Sequence, residues 1–198
     1  MTSSPSRPSS LALLLAVIGV AYPFLVYAAL GRVPAGAVVL VALALVGARL
    51  GLLRGAAVAR PLVPVMIAVA LATAALALTD SRLAALLYPV LMTLGMAAAF
   101  GLSLRRGPSL VELFASLPTS ELNPPDPSPA ARAYMRKVTR VWAVFLLASA
   151  ALSAATVAWG DMAVWTLYNG LISYLLMGGL FAVEYAVRRR VRRRESAG

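Results

Sequence analysis

Side chains able to do chemistry are few in this chain. There are no cysteines and no histidines among its 198 residues. That excludes disulfides, thiolate nucleophiles, Cys/His zinc sites and imidazole acid–base catalysis. The acids are Asp80, Glu112, Glu121, Asp126, Asp161, Glu184 and Glu195, and no two form the NDxxD or DxxxD pairing of membrane prenyl- and phosphotransferases. P-loop, GxSxG and HExxH motifs are absent too. Asp80 and Asp161 stand alone in short turns (TDSR and WGD). The expectation is a chain that is not an enzyme and carries neither cofactor nor metal.

One spacing stands out. Asn169, Ser173 and Glu184 fall within about 60° on a helical wheel. Tyr168, Tyr174 and Tyr185 flank them, while Ser149, Ser153 and Thr156 recur at i, i+4 and i+7 upstream. Polar side chains in a bilayer turn to the bundle interior. Such a stripe is either hydrogen-bonding glue between two helices or the lining of a cavity for an amphiphile. Glu184 precedes Arg188 by four residues, the favoured order for a helical ion pair.

The elements that would carry these residues are membrane spans. Hydrophobic residues make up 61% of the chain and charged ones only 13%, with a mean hydropathy of +0.85. Soluble domains carry about 25% charge. Apolar runs long enough to span, about 20 residues each, are Leu11–Leu30, Ala35–Leu53, Pro61–Leu78, Leu83–Leu102, Val141–Trp159 and Ala163–Val187. The predicted fold is therefore all-α: a polytopic helical membrane protein of about six transmembrane helices, with both termini cytoplasmic. Its parts are a leader (1–10), helices one to four (11–102), a cytoplasmic loop with an amphipathic helix and a Pro-rich linker (103–140), helices five and six (141–187) and a basic tail (188–198). A cleaved signal peptide is the alternative for the first run. Arg7 is the only charge before it, and the run exceeds the usual 7–15 residues.

Charge placement fixes the expected orientation. The net charge is +11, from 18 basic and 7 acidic residues. With the N-terminus inside, Arg7, Arg54, Arg60, Arg105, Arg106, Arg132, Arg136, Lys137, Arg140 and the six tail arginines lie on one side. Arg32 and Arg82 are left to the outer loops, and Arg49 to the inner end of span two, where it would snorkel to headgroups. This is the positive-inside pattern. It predicts a bacterial inner membrane protein, N-in and C-in, and argues against nucleic acid as the partner.

In the loop, Ser109 and Glu112 read as a capping box, followed by an apolar face of Leu110, Val111, Leu113, Phe114 and Leu117. Prolines 118, 124, 125 and 127 mark an extended linker. Ser128-Pro129 reads as an N-cap and N1 pair opening a helix that runs into span five. Its first turns present Arg132, Arg136, Lys137 and Arg140, a face for an anionic partner or a topology signal. Arg188, Arg189, Arg190, Arg192, Arg193 and Arg194 would anchor the tail to anionic headgroups, at about 1 kcal/mol each. Gly47, Gly51 and Gly55, and again Gly95 and Ala99, form small-residue faces for close helix packing, within the chain or in a homo-oligomer. Trp142, Trp159 and Trp165 fall at span ends, as an aromatic belt requires.

Three strings resemble a known family: YPVLMTLGMAAAFGLSLRRGPSLVELFASL (88–117), YMRKVTRVWAVFLL (134–147) and LYNGLISYLLMGGLFAVEYAVRRRVRRR (167–194). They are similar to an uncharacterised family of small bacterial inner-membrane proteins associated with aryl-polyene and xanthomonadin-type pigment biosynthesis clusters. The likeness covers roughly residues 83–194. It implies a membrane component of polyene-lipid assembly or transfer, working beside an acyl carrier protein or other polyene-pathway enzymes. Members are sometimes labelled ketosynthases, which a chain without cysteine and histidine cannot be. The leading expectation is a non-catalytic scaffold or transfer component for an acyl or polyene lipid-like intermediate. The alternatives are a transporter or flippase for an anionic lipid-like substrate and an integral-membrane transferase without a recognisable motif.

Overall fold

A computed structural model describes residues 10–52, 58–105, 107–116 and 127–195. Arg7, Arg54, Gly55, Arg106, Leu117 and the Pro-rich segment 118–126 lie outside the described residues. So do the side chains of Arg190, Arg192, Arg193 and Arg194.

The described chain is helical: α1 Ser10–Ala29, α2 Ala35–Leu52, α3 Ala59–Thr79, α4 Ser81–Ser103, α5 Leu110–Ala115, α6 Pro129–Trp159, α7 Met162–Leu167 and α8 Ser173–Glu195. One π-helical turn, Tyr168–Ile172, joins the last two. Five helical stretches are long and apolar enough to cross a membrane: Ala35–Leu52, Ala59–Thr79, Ser81–Ser103, Pro129–Trp159 and Met162–Arg189. In α1 the stretch Val17–Ala29 is likewise apolar. The protein is an all-α, multi-pass membrane protein. Pro23, Pro64 and Pro89 sit inside helices, as neighbouring helices in a bilayer permit.

Tight turns join α3 to α4 and α6 to α7. Asp80 alone separates α3 from α4, and its carboxylate accepts the Leu83 N–H at 2.9 Å. Gly160 ends α6 at φ +81°, the left-handed conformation open to a residue without Cβ. Asp161 next to it accepts the N–H groups of Ala163 and Val164, starting α7. The two isolated acids of the sequence are thus N-caps. The Ser109–Glu112 capping box forms, with the Ser109 N–H donating to the Glu112 carboxylate. Ser128 caps α6 ahead of Pro129, so the helix of span five begins well before its apolar run.

α4 is the central helix and packs on α2, α3, α5 and α6. Two core clusters lie along it. Towards the end bearing Asp80 and Gly160 are Tyr22, Val26, Val38, Leu45, Val69, Ala85, Tyr88 and Trp165. Towards the α5 end are Leu62, Ala99, Phe100, Leu110, Trp142 and Leu146. A Cβ on Gly95 would come within 2.8–2.9 Å of Val69 and Val65, so this glycine sets the close approach of α3 and α4. Gly47 and Gly51 have open space beside them. Among the described residues, nothing packs against these two glycines. Leu40, Leu71, Leu78, Val144 and Leu175 face outward, as they should against lipid.

Of the three tryptophans, Trp159 stands 79% exposed at a helix end, where a belt residue belongs. Trp142 and Trp165 are buried instead. The span-end rule misplaces them because each has aromatic or carbonyl partners across the bundle.

Candidate functional site

Three hydroxyls of α6 meet the π-helical turn. Ser153 donates to Asn169 Oδ1 at 2.6 Å. The Asn169 amide donates to the Trp165 carbonyl at 2.9 Å and to Thr156 Oγ1 at 3.4 Å. The Ser149 and Tyr168 hydroxyls lie 3.1 Å apart, and Tyr168 also reaches the Ser149 carbonyl at 3.2 Å. Ser173 bonds back to the Asn169 carbonyl at 3.2 Å. This set is glue between α6 and the last span. The π turn makes it fit: the Ser173 N–H bonds the Tyr168 carbonyl, i→i+5, which shifts Tyr168 and Asn169 off the regular wheel and into the interface. Single π turns are often associated with functional sites.

Asn169→Leu keeps the branched shape, in a somewhat larger side chain, but removes three hydrogen bonds. Each is worth about 0.6 kcal/mol on average in a membrane. We expect a loss of roughly 2 kcal/mol in an unfolding titration of the detergent-solubilised protein. Ser173→Ala, which removes only a local bond along its own helix, should change it by less than about 0.5 kcal/mol.

Glu184 does not join that cluster. It lies fifteen residues beyond Asn169, roughly 22 Å along a helix, and a shared wheel position does not mean a shared cavity. Its carboxylate pairs with Arg188 at 2.7 Å. The pair borders an apolar cleft of about 450 Å³ between α4, α5, α6 and α8. Met96, Phe100, Phe114, Trp142, Met177 and Phe181 are among its walls, and among the described residues Glu184 and Arg188 are its charged lining. Trp142 organises the wall, with ring centroids 4.5 Å from Phe181, 5.8 Å from Phe145 and 6.2 Å from Phe100. α8 closes the cleft only loosely. Beyond the π turn most of its described side chains are exposed, Leu175, Phe181 and Val183 among them. The cleft is therefore open along one side.

A second, smaller pocket of about 120 Å³ lies among Gly19, Tyr22, Arg49, Tyr88, Thr93, Asn169, Ser173 and Tyr174. Met177 lines both. Tyr174 donates to the Gly19 carbonyl at 3.2 Å, tying α8 to α1. The predicted stripe thus divides: Asn169, Ser173 and Tyr174 belong to the polar pocket, Glu184 to the rim of the apolar cleft, and Tyr168 to the α6 interface.

Arg49 does not snorkel to the near end of α2. A Cβ on Gly19 would collide with its guanidinium, so the side chain crosses to the middle of α1. Side chains on a helix lean towards its N-terminus. For Arg49, near the C-terminus of α2, that direction is into the bundle. This lean, together with Gly19, was the signal that could have marked Arg49 as a site residue.

The basic face of α6 is partly committed to structure. Arg136 donates to the Leu104 carbonyl at 2.6 Å and to the Gly107 carbonyl at 3.4 Å, holding the end of α4. Arg132, Lys137 and Arg140 are exposed. On the tail, Arg189 lies 5.7 Å from the Tyr185 ring centroid. Among the described residues no cluster of acids could hold a metal ion. No family model, curated protein or solved structure matches the chain.

Proposed function

We propose that this protein holds the apolar chain of an acyl or polyene lipid-like molecule in the bacterial inner membrane, as a non-catalytic scaffold or transfer component. The observation that carries this reading is the side-open, aromatic-walled cleft with one ion pair at its rim. An apolar wall with a few placed polar groups suits an amphiphile. The clustering of basic residues on one side of the spans supports an N-in, C-in orientation. That orientation puts the α6 face and the tail at the cytoplasmic headgroups. The exposed Lys137 and Arg140 then suit an acidic acyl carrier protein, by charge complementarity. The resemblance of residues 83–194 to a pigment-cluster family points to a polyene as the chain.

Deleting the gene in a pigment-producing host tests this. Extracted pigment should fall in amount, or change in lipid linkage or location. Pigment unchanged in all three would sink the proposal. The second reading, transport of an anionic lipid-like substrate, draws on Met177, which lines both the cleft and the smaller pocket.

A further inference from the structure

Arg49 carries a fixed positive charge into the bundle, and no described carboxylate neutralises it. Asp80, Glu112 and Asp161 are spent as helix caps and Glu184 is paired with Arg188. The guanidinium sits with Tyr88 and Tyr174 around one pocket. Tyr88 is only 5% exposed. Its ring packs on Tyr22 at 4.8 Å between centroids, yet its buried hydroxyl has no hydrogen-bond partner. Tyr22 differs, since its own hydroxyl donates to the Ala85 carbonyl at 3.2 Å. An uncompensated cation and an orphaned buried donor beside one cavity are each unfavourable in a membrane interior, and an anion satisfies both.

We propose that Arg49 binds the carboxylate of a long-chain carboxylic acid in this pocket, and that the Tyr88 hydroxyl, shielded in this structure, becomes its second donor through a shift of the ring. One fixed cation matches a single negative charge. A space of about 120 Å³ admits a carboxylate more readily than a phosphodiester headgroup. Ser173 and Asn169 line the same space and complete its polar side. From there the chain passes Met177 into the apolar cleft, because that residue borders both cavities. The site for the head thus rests on the chain-holding reading for the tail.

The test is binding of tritiated oleate to the purified full-length protein in neutral-lipid nanodiscs, with oleyl alcohol, acetate and inorganic phosphate as competitors. Oleate should bind about tenfold more tightly than oleyl alcohol, and Arg49→Gln should erase that preference. Tyr88→Phe keeps the ring on Tyr22 and removes only the orphaned hydroxyl. It should weaken oleate about threefold with no fall in melting temperature, an outcome that loss of packing would not give. If Arg49→Gln does not fold, Tyr88→Phe decides the matter, and an unchanged oleate preference there overturns the proposal. Equal binding of oleate and oleyl alcohol to the native protein overturns it too. If both ligands are then lost on Phe181→Glu, the chain-holding cleft stands without the anion site. If neither ligand binds at all, both readings fall. Displacement of oleate by equimolar acetate or phosphate would mean a free-anion site and would equally overturn the proposal.

Discussion

Trp165→Ala is expected to lower the unfolding free energy by about 3 kcal/mol, the lower end of the range for truncating a buried tryptophan. The indole is 1% exposed and is packed in the core cluster with Tyr22, Val26, Ala85 and Tyr88. Its N–H donates to the Leu86 carbonyl at 3.2 Å, linking α7 to α4. Its backbone carbonyl receives the Asn169 amide, a bond that alanine keeps, so the expected loss is that of the indole alone. Lipid is as apolar as this core, so the transfer part of the cost shrinks and the lost packing remains. Trp159→Ala is the control. That side chain is 79% exposed, and its loss should cost less than about 0.5 kcal/mol. Unfolding titrations of the two variants in one detergent check both values. Equal effects would mean that the last span is not seated on α4 as described.

Phe181→Glu is expected to weaken binding of a long acyl chain about a hundredfold, which is ~2.7 kcal/mol. A carboxylate near the bilayer interior costs a similar amount on insertion scales. Here it would stand against the Trp142 ring, now 4.5 Å from Phe181, and one helical turn from Glu184, whose like charge adds to the penalty. The native side chain is more than half exposed, so the substitution should leave the bundle assembled. Phe181→Leu keeps the wall apolar and should bind within about threefold of the native protein. Retention of tritiated oleate by the two variants checks this. A Phe181→Glu protein that binds normally would exclude the cleft as the chain's seat.

Most of the architecture was legible because bilayer helices are long, uncharged and closed by obvious turn chemistry. Ser109 and Ser128 open helices where the sequence reading puts them, whereas Asp80 and Asp161, read only as lone acids in turns, are caps as well. The Ser149–Ser153–Thr156 face and the Glu184–Arg188 pair were readable from helical spacing alone. The cavities were not. A wheel gives direction and not depth, so it placed Glu184 beside Asn169 although roughly 22 Å of helix separates them. No spacing rule exposes a single π turn, and that turn carries Tyr168 and Asn169 into the α6 interface. Arg49 was read from its distance to the helix end. Its destination depends on Gly19, a residue of another helix that leaves room for it. Trp142 and Trp165 were read from span boundaries and not from the partners that bury them.

The direct test of a chain held in the cleft is photo-crosslinking in nanodiscs with a fatty acid bearing a mid-chain diazirine, followed by mapping of the labelled peptides. A seated chain should place the label on Met177, Phe181, Trp142 and Phe114, and lose it there on competition with unlabelled oleate. Label spread evenly over lipid-facing residues such as Leu40, Leu71 and Val144, and unmoved by competitor, would contradict it.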